Sequence, residues 1–469
     1  MNCMPTQKPS GPPPIAYIMS GLLLAGGGYW WLTHQNSNKT SFDQGLSQDA
    51  GAGLSSGSKI LVSTVTSPEK QAGVKALESG NKAEAIAQFQ QALKKNRNDP
   101  EAFIYLNNAK AGDTNYSIGV SVPIHSDPNG AQEILRGVAQ AQRDINQSGG
   151  INGTPLAVLI ADDKDNVETA QNVAQKFVDR SGLMGVVGHY SSDVTLAAGK
   201  VYDNRKLPVI SPISTSVKLS NFSPYVFRTV PSDYVAARAL ANYMVSSLKH
   251  QKAAVFFSSQ SAYSQSLKGE FVSAVSLGGG QVVSEFDLAD SGFSAARSVA
   301  TATKQGAQVL ALLGNTGTLD KALQVVQVNK RRLPLLGGDD VYSPKTLELG
   351  ADAATGMVVA VPWHILGDPK AVFPQQAQKL WGGDVSWRTA IAYDATQSLI
   401  EAMIQQGPSR EGVQKALRSS EFSAKGASGA VRFLPSGDRN APVQLVKILP
   451  GKRSGTGFDF VPVPQSRLM

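Results

Sequence analysis

From Tyr116 onward, short apolar runs alternate with segments in which apolar residues recur every three to four positions. The runs have the length of strands, and the periodic segments have the length of amphipathic helices. Regular alternation of this kind predicts βαβ units around a parallel sheet. Because two such series follow one another, we predict an α/β fold with two doubly wound, parallel-sheet lobes.

The predicted elements can be placed along the chain from the same pattern. The first series has strands at 116–122, 156–161, around Val186 and at Val209, and helices at 132–147, 167–180 and from Val194. The second has helices from Tyr234, Ser264, Phe293 and Leu319, and strands at 253–258, 281–286, 309–313 and 333–336. We expect the sites of both lobes at the carboxyl ends of the strands, facing one another.

An uncharged apolar run occupies residues 15–32 and ends in Tyr29, Trp30 and Trp31. A helix of this length spans about 27 Å, close to the hydrocarbon core of a bilayer, which is about 30 Å thick. A cleaved signal peptide is the alternative, but no small-residue cleavage site follows. We therefore predict an uncleaved membrane anchor after a short cytoplasmic N-terminus at 1–14, with the body in the periplasm or extracellular space.

Two further segments precede the α/β region. Residues 33–66 are rich in Ser, Gly, Asn and Gln and predict a flexible linker. Within 67–112, the stretch ALESGNKAEAIAQFQQALKKN resembles a tetratricopeptide repeat, and PEAFIYLNNAKA resembles the first helix of a second one. Since so few repeats do not form a stable solenoid alone, this segment either binds a partner or packs on the next domain.

Length and charge restrict the function classes. A chain of 469 residues exceeds one ordinary core, so several domains are expected. The net charge is +8, but the basic residues are scattered and form no stripe with interleaved aromatics, so we expect no nucleic-acid partner. The single cysteine, Cys3, precedes the apolar run, which excludes a disulfide or a thiolate metal site downstream.

No motif in the chain indicates catalysis. The sequence has no H-E-x-x-H, G-x-S-x-G or P-loop motif, and its five histidines are dispersed. An S-x-x-K pattern runs from Ser67 to Lys70, but it lies ahead of the repeat and away from any predicted pocket. We therefore predict that the chain is not an enzyme and has no catalytic residues, metal or cofactor.

Two hydroxyl-rich turns, GHYSSD from Gly188 and SPISTS from Ser211, each follow an apolar run. Helix N-termini at strand ends leave backbone N–H groups unpaired, and hydroxyls beside them complete a cradle for a carboxylate or phosphate. Helix capping by Ser192, Ser214 and Thr215 is the plainer alternative. Two such turns on consecutive units nevertheless favour a ligand site.

The order and spacing of several motifs resemble type I periplasmic binding proteins of the leucine/isoleucine/valine and amide class, the ligand receptors of ABC importers. The motifs are IGVSVPIHS, GVAQAQRDINQSGGINGTPLAVLIADD, VVGHYSSDVT, VISPISTS, FRTVPSD, TAIAYDATQSLIEAM and GAVRFLPSGDR. The resemblance covers about 116–461 and implies a bilobed fold with three crossovers. We expect lobe 1 at 116–233 plus 362–435, and lobe 2 at 234–361 plus 436–463.

The resemblance also implies roles for single residues. Ser192 resembles the residue that binds the ligand α-carboxylate, Thr215 matches one that contacts carboxylate and ammonium, and the Ile213 carbonyl matches an ammonium acceptor. Tyr263 is similar to an aromatic residue of the second lobe near the carboxylate, and Asp339 to an acidic residue paired with the ammonium. A zwitterion needs such donors at one end and an anion at the other.

Other candidates are less specific. We expect Ser214 to bind ligand beside its neighbours and count Tyr190, Asn315 and Trp363 as possible contacts. Asn315 stands where relatives often carry a tyrosine, which predicts a wider or more polar pocket. Trp363 either lines that pocket or stiffens the hinge.

Two candidate acids also have alternative roles. Asp340 is the alternative to its neighbour Asp339 as the partner of the ligand ammonium. Asp233 is expected to cap the helix that follows it rather than to contact ligand.

The sequence therefore predicts a membrane-anchored receptor that closes on an amino acid or small amide and presents it to ABC permease subunits. The alternative is a membrane-tethered regulatory or interaction protein with the same fold, such as an activator of a cell-wall synthase or a ligand sensor. The combination of Ser192, Thr215 and Asp339 favours a working ligand site.

Overall fold

The structure is a computed structural model, and it describes residues 53–464. The predicted N-terminus at 1–14, the anchor at 15–32 and the linker up to residue 52 lie outside the described residues. Among residues 53–464, no helix combines the length and the apolarity that crossing a membrane requires.

Strands and helices alternate through most of the described chain. The strands are β1 (Leu54–Ser55), β2 (Tyr116–Val122), β3 (Leu156–Asp162), β4 (Leu183–Val187), β5 (Val209–Ser211), β6 (Val226–Arg228), β7 (Lys252–Phe257), β8 (Gln281–Asp287), β9 (Val309–Leu312), β10 (Leu335–Gly337), β11 (Val358–Val361), β12 (Ala424–Gly426), β13 (Gly429–Val431), β14 (Gln444–Pro450) and β15 (Phe458–Pro462). The helices are α1 (Pro68–Glu78), α2 (Lys82–Lys95), α3 (Pro100–Ala111), α4 (Pro128–Gln147), α5 (Val167–Val178), α6 (Ser192–Asn204), α7 (Asp233–Asn242), α8 (Ala262–Leu277), α9 (Ala295–Lys304), α10 (Leu319–Asn329), α11 (Pro344–Gly350), α12 (Phe373–Trp381), α13 (Trp387–Gln406) and α14 (Arg410–Leu417).

The strands form two large sheets, and we call each sheet with the helices packed on it a lobe. Lobe 1 has the sheet order β1-β3-β2-β4-β5-β6, and strands β2 to β6 are parallel, as the βαβ pattern predicts. Apolar residues fill the middle of these strands, and Val120, Ile160 and Val187 lie side by side at 0% exposure. A sheet buried on both faces explains why its strands are mostly apolar.

Lobe 2 departs from the predicted all-parallel sheet. Its order is β15-β14-β11-β10-β9-β7-β8, and β7 to β11 are parallel. Strands β14 and β15 are antiparallel to their neighbours. The chain returns from lobe 1 directly into β14 without a crossover helix, so these strands add to the sheet as a hairpin. The sheets are thus mixed and mostly parallel.

The chain passes between the lobes three times. It first crosses between β6 of lobe 1 and β7 of lobe 2; it then returns to lobe 1 after β11, where α12 to α14 lie, and crosses again before β14 of lobe 2. Helix α13 packs against α4 of lobe 1. A Cβ at Gly137 would stand 2.3 Å from the Thr389 carbonyl oxygen and 2.6 Å from the Tyr393 nitrogen. Only glycine therefore permits this close approach, which fixes α13 beside the cleft.

Residues 53–66 are not a flexible linker. Strand β1 pairs antiparallel with β3, and Leu54 is completely buried. The backbone N–H groups of Leu61 and Val62 donate hydrogen bonds to the carboxylate of Glu101, at 2.6 and 3.2 Å. The polar composition of this segment did not indicate that Leu54 and Val62 are buried, or that its backbone N–H groups donate to a buried carboxylate.

The helices α1 to α3, which we call the N-terminal module, pack on lobe 1. Helices α1 and α2 are neighbours, and Phe89 is buried against Gly73, where a Cβ would stand 2.7 Å from the ring. Helix α3 packs on α4 and β3. The side-chain amide of Asn108 accepts from the Val158 N–H at 2.9 Å and donates to the Val158 carbonyl at 2.8 Å, as a neighbouring strand would.

A buried cation holds the N-terminal module together. Lys70 is fully buried, and its Nζ lies 3.0 Å from Asp99 Oδ2, 2.8 Å from Glu101 Oε2 and 2.7 Å from the Val65 carbonyl. Burial raises the pKa of Asp99, while the Lys70 charge opposes that rise. The S-x-x-K lysine is therefore a structural residue that links α1 to α3.

Replacing Lys70 with Met should destabilise the N-terminal module, because it leaves two buried carboxyl groups without a cation. Breaking a buried ion pair on one side costs about 3–5 kcal/mol. We expect amide hydrogen exchange in α1 to α3 of the full chain to accelerate by more than tenfold, with lobe 2 unchanged.

Lys82→Met is the matched control, since Lys82 pairs with Asp113 on the surface. Equal exchange rates in the Lys70→Met and Lys82→Met variants would refute the structural role of Lys70.

Candidate ligand-binding site

The carboxyl ends of both sheets meet at the cleft between the lobes. The Ala262 N–H at the start of α8 donates to Asp193 Oδ2 of α6 at 2.9 Å, and the Val217 N–H donates to Ser266 Oγ at 2.9 Å. Each bond joins lobe 1 to lobe 2, so the lobes are closed on one another. The turns after β4, β5, β7, β9 and β10 are brought together by this closure.

The hydroxyl groups of lobe 1 differ in how far their hydrogen-bonding capacity is already used within the protein. Ser192 Oγ accepts from the Ser216 N–H at 3.3 Å. Ser214 Oγ is 2.7 Å from Thr195 Oγ1 and 3.0 Å from the Tyr190 carbonyl, so it is occupied within lobe 1. Thr215 Oγ1 is buried and completes no well-formed hydrogen bond in the described chain, although the Asp233 carboxyl lies near it. Of the candidate hydroxyls, Thr215 is the one most in need of a further partner.

The lobe 2 side of the cleft carries a tyrosine–aspartate pair. The Tyr263 hydroxyl donates to Asp339 Oδ1 at 2.6 Å, and both side chains are buried. Gly338 makes this possible, since a Cβ there would stand 2.4 Å from the Tyr263 hydroxyl oxygen. The pair comes from two elements, α8 and the turn after β10, which hold it in one orientation.

The acidic groups of the cleft are buried and raised in pKa. Burial, and then the neighbouring charge of Asp340, raises the pKa of Asp339 to about 7, against the hydrogen bond from Tyr263. Burial raises the pKa of Asp233 to about 6, although the Ser266 and Thr215 hydroxyls approach it. Asp233 Oδ2 completes no hydrogen bond within the described residues. These are carboxyl groups that a cation would stabilise in their charged form.

A buried cation, Arg388, lies at the same cleft. Its Nε donates to the Tyr190 hydroxyl at 3.2 Å, and its Nη2 donates to Asp340 Oδ1 at 3.3 Å. Its Nη1 donates to the Tyr342 carbonyl at 3.3 Å. Arg388 belongs to lobe 1, whereas Asp340 and Tyr342 belong to lobe 2, so this side chain also crosses the cleft.

The remaining predicted contacts fall in different places. Asn315 precedes Thr316, whose backbone N–H donates to Asp340 Oδ2 at 3.0 Å, so Asn315 lies at the cleft. The main chain of Ile213 is held by Ser211, whose Oγ accepts from its N–H at 3.3 Å. Trp363 instead lines a separate cavity near the crossovers, with Thr229, Ile391 and Gln444 among its neighbours. The structure therefore does not bring Trp363 together with the other candidates.

A polar network behind the turn after β4 positions Tyr190 and Ser192. The His189 ring bonds Asp163 Oδ2 at 2.7 Å and the Tyr202 hydroxyl at 2.9 Å, and the Ser211 hydroxyl donates to the His189 carbonyl. All four side chains are buried. Because both hydroxyl-rich turns share this network, they keep a fixed relation to each other.

Sequence reasoning overlooked Arg388. It occupies the second position of α13, where the helix dipole disfavours a cation. A basic residue at that position is a signal for a specific anionic or polar partner. The prediction that Asp233 caps the helix was wrong, because Ser232 is the N-cap and its side chain accepts from the Tyr234 N–H. The Asp233 carboxyl is buried and faces the cleft turns instead.

Among residues 53–464, no group of three or more His, Cys, Asp or Glu side chains is placed to hold a metal ion. The cleft combines hydroxyls on lobe 1, buried carboxyl groups from lobe 2 and the interlobe turn, and the Arg388 guanidinium. This arrangement suits a small ligand that carries both charges.

Comparison with known proteins is consistent with this geometry. A model of the family described as periplasmic binding protein matches residues 116–454. The leucine-specific-binding protein of Salmonella typhimurium is 29% identical over 277 residues, covering 57% of this chain and 73% of that protein. The Leu/Ile/Val-binding protein homolog 1 of Brucella abortus is 26% identical over 332 residues, covering 69% of this chain and 88% of that protein.

A solved structure of a substrate-binding protein has a similar fold. The ABC transporter substrate-binding protein from Desulfitobacterium hafniense, in complex with Leu, superposes with a TM-score of 0.63 at 25% identity. The match covers 74% of this chain and all of that chain.

In the closed arrangement of the lobes without ligand, the Asp339 carboxyl should titrate near pH 7. The Tyr263 hydrogen bond favours the charged form of Asp339, so Tyr263→Phe should raise that pKa further. Carboxyl carbon shifts of the full chain with labelled aspartate, followed by NMR against pH, measure both values. Tyr234→Phe, at an exposed tyrosine of α7, is the control and should change nothing. An Asp339 midpoint near pH 4 would contradict the described burial.

Proposed function

This chain belongs to the periplasmic binding protein family, and from that premise we propose that it is the substrate-binding receptor of an ABC-type amino-acid importer. It is accordingly a binding protein and not an enzyme. The relatives named above are called leucine-specific or Leu/Ile/Val-binding. We propose a branched-chain or related amino acid, or a small amide, as the ligand, and ABC permease subunits as the partners.

One observation carries the proposal: the buried Thr215 hydroxyl lies in a cleft whose opposite wall is the buried Tyr263–Asp339 pair. A ligand α-carboxylate would accept from Thr215 and Ser192 near the N-terminus of α6, where the helix dipole favours an anion. The ligand ammonium would pair with Asp339. Burial of both ends strengthens these charge-assisted bonds.

The closed arrangement supports a trapping mechanism. A ligand that contacts both lobes binds the closed state better than the open one and shifts the population towards it. The interlobe bonds of Asp193 and Ser266 form only in the closed state and would assist the ligand. The permease would recognise the closed pair of lobes.

The N-terminal part of the proposal concerns location. We propose that residues 15–32 anchor the chain in a membrane, with the binding lobes in the periplasm or extracellular space. The partner-binding role of the repeat-like segment at 67–112 also stays a proposal. Its packing on lobe 1 supports at least the structural role.

Removing the proposed partner of the ligand ammonium, Asp339, or of the ligand carboxylate, Thr215, should weaken amino-acid binding. We expect Asp339→Asn to lower the affinity of the full chain by roughly 10- to 100-fold, since a hydrogen bond to a charged group contributes about 1.5–3 kcal/mol. Thr215→Val should have a smaller effect of the same sign. Titration calorimetry against a panel of the twenty amino acids and small amides identifies the ligand first and then measures both variants.

Asp352→Asn, at an exposed aspartate of lobe 2, is the matched control and should bind normally. Silence across the whole panel, with a folded protein, would reject the receptor function and favour a regulatory interaction protein.

Affinity should also depend on pH. Asp339 has its pKa raised to about 7, so below that pH a proton must leave before the ligand ammonium can pair with the carboxylate. We expect affinity to rise by up to about tenfold per unit from pH 5.5 to 7 and to level off above about pH 8. Calorimetry in buffers of different ionisation enthalpy should detect the released proton. A flat profile would remove Asp339 from the ammonium site.

A further inference from the structure

We propose that the ligand side chain ends in an uncharged amide, bound by Arg388 and Asp340 in a subsite next to the zwitterion site. This inference rests on the proposed function and names the ligand class more narrowly. We call the group formed by Tyr190, Thr316, Asp340 and Arg388 the polar subsite.

The polar subsite adjoins the zwitterion site through the chain itself. Tyr190 lies on the same turn as Ser192, and Asp340 directly follows Asp339. The two turns therefore each supply one residue to the zwitterion site and one to the polar subsite. A ligand held by its ammonium and carboxylate would direct its side chain towards Arg388.

Arg388 retains unused hydrogen-bonding capacity. A guanidinium has five N–H donors, and the structure gives this one three hydrogen bonds, of 3.2, 3.3 and 3.3 Å. The residue is 8% exposed, so water has little access to the remaining donors. A buried cation with spare donors favours a ligand group that brings an oxygen acceptor.

Thr316 supplies a second polar group. Its Oγ1 is buried and completes no well-formed hydrogen bond within residues 53–464, although it lies close to the Asp340 carboxylate and the Tyr190 hydroxyl. Its backbone N–H is bound to Asp340 Oδ2, which places the residue beside the Arg388–Asp340 pair. The polar subsite thus offers donors from Arg388, an acceptor from Asp340 and a hydroxyl that can serve as either.

The charge of the polar subsite selects among oxygen-bearing side chains. Asp340 already balances Arg388, so a ligand carboxylate would add a negative charge beside Asp340 and Asp339. A ligand cation would lie against Arg388. An amide is neutral, accepts from Arg388 through its oxygen and donates to Asp340 through its nitrogen, so the ion pair stays intact. An aliphatic side chain would bury these polar groups and return no hydrogen bond.

The test is a calorimetric comparison of ligands on the full chain. We expect L-glutamine or L-asparagine to bind at least tenfold tighter than L-leucine, L-isoleucine or L-valine, and tighter than L-glutamate or L-lysine. Arg388→Met should reduce the preference for the amide over leucine by more than tenfold. Arg331→Met, at an exposed arginine paired with Asp352, is the control and should retain it.

A second variant guards against misfolding of Arg388→Met. Thr316→Val keeps the shape of the side chain and should reduce the amide preference several-fold. Tightest binding of leucine, glutamate or lysine would overturn the amide subsite while leaving the receptor function in place. Failure of every amino acid to bind would overturn both.

Discussion

The burial of carboxyl groups between the two lobes is the constraint on which the cleft depends. Asp233 and Asp339 are buried between the closed lobes, Asp340 is half-buried beside them, and Arg388 donates to Asp340. Such burial is unfavourable unless opposite charge or hydrogen bonds compensate it. In the function proposed above, a zwitterionic ligand would supply further positive charge, so the free energy of closure would depend on the ligand.

The rest of the architecture holds those groups in place. Parallel strands present their carboxyl ends to the cleft, and the His189 network fixes the turns that follow β4 and β5. Gly137 lets α13 approach α4 closely enough to carry Arg388 to the cleft. The three crossings of the chain leave the lobes free to move as bodies while each wall of the site stays rigid.

Much of the fold and part of the site could be predicted from local pattern. The strand at 116–122 has the predicted bounds, because apolar residues recur along its buried part and polar turns flank it. Strand β1 was not predictable, since Leu54 and Ser55 lie in a polar segment and acquire their partners, Ala161 and Ile160, only in the fold. Arg388 was missed for the same reason: its partners lie 48 and 198 positions away. Hydroxyl-rich turns can be recognised as local sequence motifs, whereas contacts between residues distant in sequence cannot.

The outer edge of the lobe 1 sheet is covered by β1, by the N-terminal module and by α4. Strand β3 would be an edge strand, but β1, the Asn108 amide and the Asn146 amide occupy its outward N–H and carbonyl groups at Ile160, Val158 and Leu156. Open edges invite pairing with another chain and lead to self-association. Residues 53–111, together with Asn146, therefore cover an edge of the sheet, and a chain shortened to its binding lobes alone would expose part of that edge to pairing with other chains.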